Sequence, residues 1–104
     1  VLLILLKNNR KHSQLILISM QKYVKVYMDY FDYKTQSEVM CEACGSPAVD
    51  IHHVYGRGKG ADIITNLMAL CRKHHTQAHE KIPKSEMQLI HNYFLTGKRK
   101  TFLK

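Results

Sequence analysis

The chain is short of acidic residues, of cysteine and of long apolar runs, and each shortage excludes something. Three cysteines in 104 residues are an odd and small number, which argues against a self-contained disulfide framework. The apolar run VLLILL at the start is six residues long, against the roughly 20 needed to span a bilayer. It does not fit a secretory signal either, because Lys7, Arg10 and Lys11 come after it instead of preceding it. No internal repeat is visible, and nothing marks the enclosed apolar pocket of a small-molecule hydrolase. Eight acidic residues face sixteen Lys and Arg, for a net charge of +8. The excess is uneven: +3 over residues 1–40, +1 over 41–82 and +4 over 83–104. Such a balance favours a polyanionic partner, nucleic acid before a membrane surface.

At this length the chain holds one domain, with a compact part of about 60–80 residues. A core that small is marginal alone, and a bound zinc is one of its usual staples. Residues 1–19 differ in pattern from the rest of the chain, and Met20 opens the coherent part. They are read as an N-terminal extension, disordered or non-native. Tyr23, Val26, Tyr27, Tyr30 and Phe31 fall on one face of an amphipathic helix within segment 20–40, and its tyrosines read as core and rim. Thr35 and Glu38 spell a capping box, but no long apolar helical run comes after it, so the box is discounted. Ala48 to Val54 and Leu67 to Leu70 read as strands, and Arg72 to Lys81 as a helix. Gly56, Gly58 and Gly60 form a flexible loop between the strands, carrying Arg57 and Lys59 as candidate phosphate contacts. Residues 83–95 read as a helix with Pro83 near its first turn, Met87, Ile90 and Phe94 on one face and Gly97 at its end. A basic tail closes segment 83–104.

What the chain does have is concentrated. The 39 residues from Cys41 to His79 hold all three cysteines and five of the seven histidines. Zinc takes four soft or borderline ligands in a tetrahedron, and a C-x-x-C turn supplies two from one loop. Cys41 and Cys44 form one such turn, and Cys71 and His74 form another, with 26 residues between the two turns. His75 is the adjacent alternative for the fourth ligand. Reduced thiolates on zinc imply a reducing, cytoplasmic compartment. A structural clip leaves no ligand spare, yet His52, His53, His75 and His79 remain. His75 and His79, four apart on a helix, project from one face and can share a metal. His52 and His53, neighbours on a strand, point to opposite sides. One can join the metal while the other takes a proton from water, a task suited to an imidazole, whose ordinary pKa is about 6.5.

These residues resemble the HNH family of nucleases. The resemblance covers about Cys41 to Lys81 and is carried by DIHH at Asp50–His53, by Asn66-Leu67, and by LCRKHH at Leu70–His75 followed by His79. It implies an α+β fold: a small ββα-metal, treble-clef core with zinc knuckles over 41–82, flanked by N- and C-terminal helices. It implies a structural zinc on Cys41, Cys44, Cys71 and His74. His53 matches the general base, while His52, His75 and His79 match ligands of a catalytic divalent metal (Mg, Mn or Zn). Asn66 matches the residue that fixes the loop and the base histidine. Asp50 is a candidate partner orienting an imidazole, or a turn former. The implied activity is phosphodiester hydrolysis of DNA, leaving 5′-phosphate and 3′-hydroxyl ends, in a bacterial or phage-encoded setting. The competing readings are a non-catalytic zinc module that binds nucleic acid by charge, and an RNA-directed nuclease on the same scaffold.

Overall fold

The structure, a computed structural model, describes residues 21–97. The extension at 1–19 and the basic tail beyond Gly97 therefore lie outside the described residues. In chain order the elements are helix α1 (Lys22–Phe31), strand β1 (Asp50–His53), strand β2 (Leu67–Leu70), helix α2 (Arg72–Glu80) and helix α3 (Lys84–Thr96). Single 3-10 turns at Gln36–Glu38 and Ile64–Asn66 join them. The fold class is α+β, with two antiparallel strands among three helices. No helix among the described residues is long and apolar enough to cross a membrane.

The core follows from the strand period. Successive side chains of a strand face opposite sides of the sheet, and β2 reads LMAL with every residue buried. Leu67 and Ala69 therefore join one apolar cluster, with Tyr27, Met28, Phe31 and Phe94. Met68 and Leu70 join another, with Ala78, Met87 and Ile90. The sheet lies between α1 on one side and α2 on the other, and α3 reaches both clusters. Pro83 stands at the N-cap of α3, and Met87, Ile90 and Phe94 are buried along one face, as their spacing predicts.

The register pairs Asp50 with Leu70, Ile51 with Ala69, His52 with Met68 and His53 with Leu67. Asp50 and His52 consequently face α2, whereas Ile51 and His53 face α1. The histidine doublet is split by the pleat, as its strand position requires. Of the residues expected in β1, only the central four pair as a strand.

The capping box at Thr35 does form, contrary to the sequence expectation. Glu38 accepts the backbone N–H of Thr35 at 3.2 Å. What it caps is a three-residue 3-10 turn, so the missing apolar periodicity removes the long helix and leaves the cap.

Candidate metal centres

Among the described residues two groups of side chains could each hold a metal ion: Cys41, Cys44, Cys71 with His74, and His52 with His75 and His79. Within each group the donor atoms all lie within 4.8 Å of one another.

The first group is assembled from a knuckle and a helix start. Cys41 N–H donates to the Ser46 carbonyl at 2.7 Å and Gly45 N–H to the Cys41 carbonyl at 2.8 Å, which curls Cys41–Cys44 into a tight turn. Gly45 completes it at φ 84°, where a side chain would be strained. Cys71 is the N-cap of α2 and His74 lies in its first turn. Cys44 Sγ and Cys71 Sγ are 4.0 Å apart, and His74 Nδ1 is 3.3 Å from Cys71 Sγ and 3.7 Å from Cys41 Sγ. Ligands at ordinary Zn–S and Zn–N lengths in a tetrahedron are separated by about 3.5–3.8 Å, so the donor set fits zinc. Their surroundings tune the thiols apart. Burial pushes Cys41 up to about 11. Burial also works against ionisation at Cys71, but the His74 backbone N–H and the Ser46 hydroxyl bring it down to about 6. A thiol at a helix N-terminus gains such help from the exposed amides and the helix dipole.

The second group joins β1 to α2. His75 and His79 lie one turn apart, with their Nε2 atoms 3.1 Å from each other. The His52 ring sits 5.0 Å from each of theirs, measured between centroids. Behind it, Asp50 Oδ2 accepts from His75 Nδ1 at 2.8 Å and from Arg72 Nη1 at 3.1 Å. Asp50 is thus an orienting partner of an imidazole, and the bond leaves His75 Nε2 free to face the other rings. Burial, together with the nearby His75 and His79, pulls His52 down to about 4. It is a neutral ring at neutral pH, the form that ligates metals. Three imidazoles suit a borderline transition ion, whereas magnesium prefers oxygen ligands.

His53 belongs to neither group. It is buried on the α1 side, where Tyr23 packs edge-on at 4.7 Å between centroids. Its Nε2 bonds Asp62 Oδ1 at 2.8 Å. Asn66 ties the glycine-rich loop at both ends. Its Oδ1 accepts Tyr55 N–H at 2.8 Å, while Nδ2 donates to the Gly56 and Ala61 carbonyls at 3.2 and 3.0 Å. The loop expected to be flexible is therefore clamped by a side chain, although its glycines do take positive φ. Arg57 lies with its guanidinium 4.9 Å from the Tyr23 ring centroid. Arg57 and Lys59 also line a shallow hollow of about 410 Å³ with Tyr55, Asn66 and Gln88, which has no acidic side chain in its wall. A second hollow of about 380 Å³ is bounded by Asp50 and His75 from one face of β1 and by Tyr23, Ile51 and Arg57 from the other. It runs past the edge of β1 that β2 does not cover.

Sequence reasoning missed a buried polar knot that starts inside the first knuckle. Glu42, inside the first knuckle, and His91 of α3 are both fully buried. Glu42 Oε1 pairs with His91 Nδ1 at 2.7 Å, and His91 Nε2 donates to the Ile64 carbonyl at 2.6 Å. Tyr27 donates its hydroxyl to Glu42 Oε2, which also accepts the Ala69 N–H at 3.3 Å. Burial opposes charge on His91, but the bond to Glu42 and its charge raise the imidazole above its ordinary value. One signal was available: a glutamate between two zinc-ligand cysteines needs a partner if the knuckle is packed. Asp62 was also passed over, and nothing in its local spelling marks it, while Tyr23 was read only as core or rim.

Comparison with known proteins adds little. No protein-family model matches the chain, and no solved structure matches it. A stretch of 45 residues is 42% identical to the uncharacterized protein YdfU of Escherichia coli (strain K12), covering 38% of this chain. That stretch spans only 12% of the relative's length.

Proposed function

We propose that the chain is a metal-dependent endonuclease of the HNH type, built on a ββα-metal, treble-clef core, that hydrolyses phosphodiester bonds in DNA. The observation that carries this reading is the placement of His53. It neighbours a residue of the histidine trio in sequence, yet faces the other side of the strand. A structural metal site has no use for such a residue, and a hydrolytic site needs one.

In this reading Cys41, Cys44, Cys71 and His74 hold a structural zinc that fixes α2 against the knuckle. A divalent ion on His52, His75 and His79 supplies Lewis-acid stabilisation of charge on the phosphate and the leaving oxygen. The imidazole set favours zinc or manganese over magnesium. Asp50 holds the ring of His75, and Asn66 holds the loop that comes after His53. Arg57 and Lys59 contact neighbouring phosphates, with affinity that falls as salt rises. His53 takes a proton from the attacking water, whose oxygen bonds to phosphorus as the bond to the 3′-oxygen breaks. The 3′-oxygen takes a proton from solvent, leaving 5′-phosphate and 3′-hydroxyl ends. General-base help of this kind is typically worth about 10²–10⁴-fold in rate.

The test is nicking of supercoiled plasmid with Zn²⁺, Mn²⁺ or Mg²⁺ by the wild type and His53→Ala. The expected result is cleavage by the wild type and a loss of about 10²–10⁴-fold in the variant at unchanged metal content. Equal cutting by the two proteins removes His53 as the base. DNA binding with no cutting of DNA or RNA by any metal form supports the charge-binding zinc module instead, and cutting of RNA alone supports the RNA-directed nuclease.

A further inference from the structure

We propose that Asp62 is the positioning residue of His53: its carboxylate accepts the proton carried on Nε2 and leaves Nδ1 as the basic nitrogen of the ring. Its catalytic consequence rests on the nuclease reading above, whereas the pairing itself does not. An ionised carboxylate is only an acceptor, so the nitrogen 2.8 Å from Asp62 Oδ1 is the protonated one. The opposite nitrogen is then the one able to take a proton.

Three further observations favour a purpose over an accident. Asp62 is one of only eight acidic residues and comes directly after a loop carrying Arg57 and Lys59. Among the described residues its hydrogen-bonding partner is nevertheless a histidine, and no Lys or Arg pairs with it. Its backbone is held on both sides, by the grip of Asn66 on the Ala61 carbonyl and by the 3-10 turn that starts at Ile64. The carboxylate is thus delivered from a clamped segment. Finally, the ring it holds has little freedom of its own. Tyr23 packs edge-on against it at 4.7 Å, and Arg57 covers Tyr23 at 4.9 Å. Asp62, His53, Tyr23 and Arg57 form one chain of contacts, in which the loop and α1 together set the angle of the imidazole.

When water gives its proton to Nδ1, the ring becomes an imidazolium, and Asp62 stabilises that charge without taking the proton. The attack on phosphorus is consequently placed on the Nδ1 side of His53, away from the loop.

The test uses the full, zinc-loaded chain. Long-range proton–nitrogen NMR correlation reads the tautomer of each histidine, and His53 is expected as the Nε2–H form. Asp62→Asn lets an amide donate to Nε2 and is expected to shift the ring toward Nδ1–H. In plasmid nicking, Asp62→Asn is expected to lose about 10–100-fold in kcat, with KM within about twofold because the substrate contacts remain. Asp62→Glu should recover part of the loss. A wild-type His53 in the Nδ1–H form, or a tautomer indifferent to Asp62→Asn, overturns the pairing. Wild-type nicking by Asp62→Asn overturns its catalytic role while the nuclease reading stands. A wild type that never nicks removes the nuclease reading, and the spectrum alone then decides the pairing.

Discussion

His74 and His75 are adjacent and serve different centres, because consecutive residues of a helix point about 100° apart. His74 turns toward Cys41 and Cys71, whereas His75 turns toward His52 and His79. The same economy splits His52 from His53 across the strand. His52 carries a pH signature that can be measured. Its imidazole is lowered by burial and its histidine neighbours from 6.5 to about 4, so folding favours the neutral ring. That contribution is complete above pH 6.5 and is lost as pH falls toward 4. It amounts to about 2–3 kcal/mol. Denaturant titration of the wild type and His52→Asn at pH 7.5 and 4.5, both carrying only the ion of the Cys41, Cys44, Cys71 and His74 group, checks this, since acid release of that ion is common to both. The wild type is expected to lose more stability than the variant over that interval. The buried knot makes a second residue-scale prediction. His91→Leu strands the Glu42 carboxyl in the core and should cost about 3–5 kcal/mol, read from chemical unfolding with the zinc content tracked in parallel.

At the scale of elements, the knuckle and α2 depend on one another. Cys71 caps the helix and His74 lies in its first turn, so an ion held by the clip would also fix where α2 starts. Cys44→Ala should release zinc and unfold the domain cooperatively, as metal binding and folding are one process in clips of this size. Full retention of the melting temperature would remove the structural-zinc assignment. The elements themselves were legible in advance. LMAL has no polar residue and forms the strand buried on both faces. The spacing of Met87, Ile90 and Phe94 marks the buried face of α3, and Cys-x-x-Cys with a later Cys-x-x-His marks the clip. The knot and the Asp62 contact were not, because their partners have no common period. Glu42 and His91 are 49 residues apart, and each looks like a polar residue on a solvated surface. Glu38 shows the reverse case, a local signal that was present and was discounted for want of a helix behind it.

For the whole molecule, the proposed nuclease would keep affinity apart from chemistry. The stretch that holds both centres is nearly neutral, and the flanking segments carry most of the +8. Binding to duplex DNA should therefore weaken steeply with salt, with log K falling by about 0.9 per neutralised phosphate for each unit of log salt. Removing residues 98–104, which hold four Lys and Arg, should flatten that slope by up to about 3–4 and leave metal content unchanged. The central claim is the partition of ligands into two centres with His53 outside both, and counting metal by mass spectrometry tests it most directly. Proteins equilibrated with zinc and desalted should carry two ions in the wild type and in His53→Ala, and one in His52→Ala. A single ion in the wild type, or the loss of an ion in His53→Ala, would contradict the account.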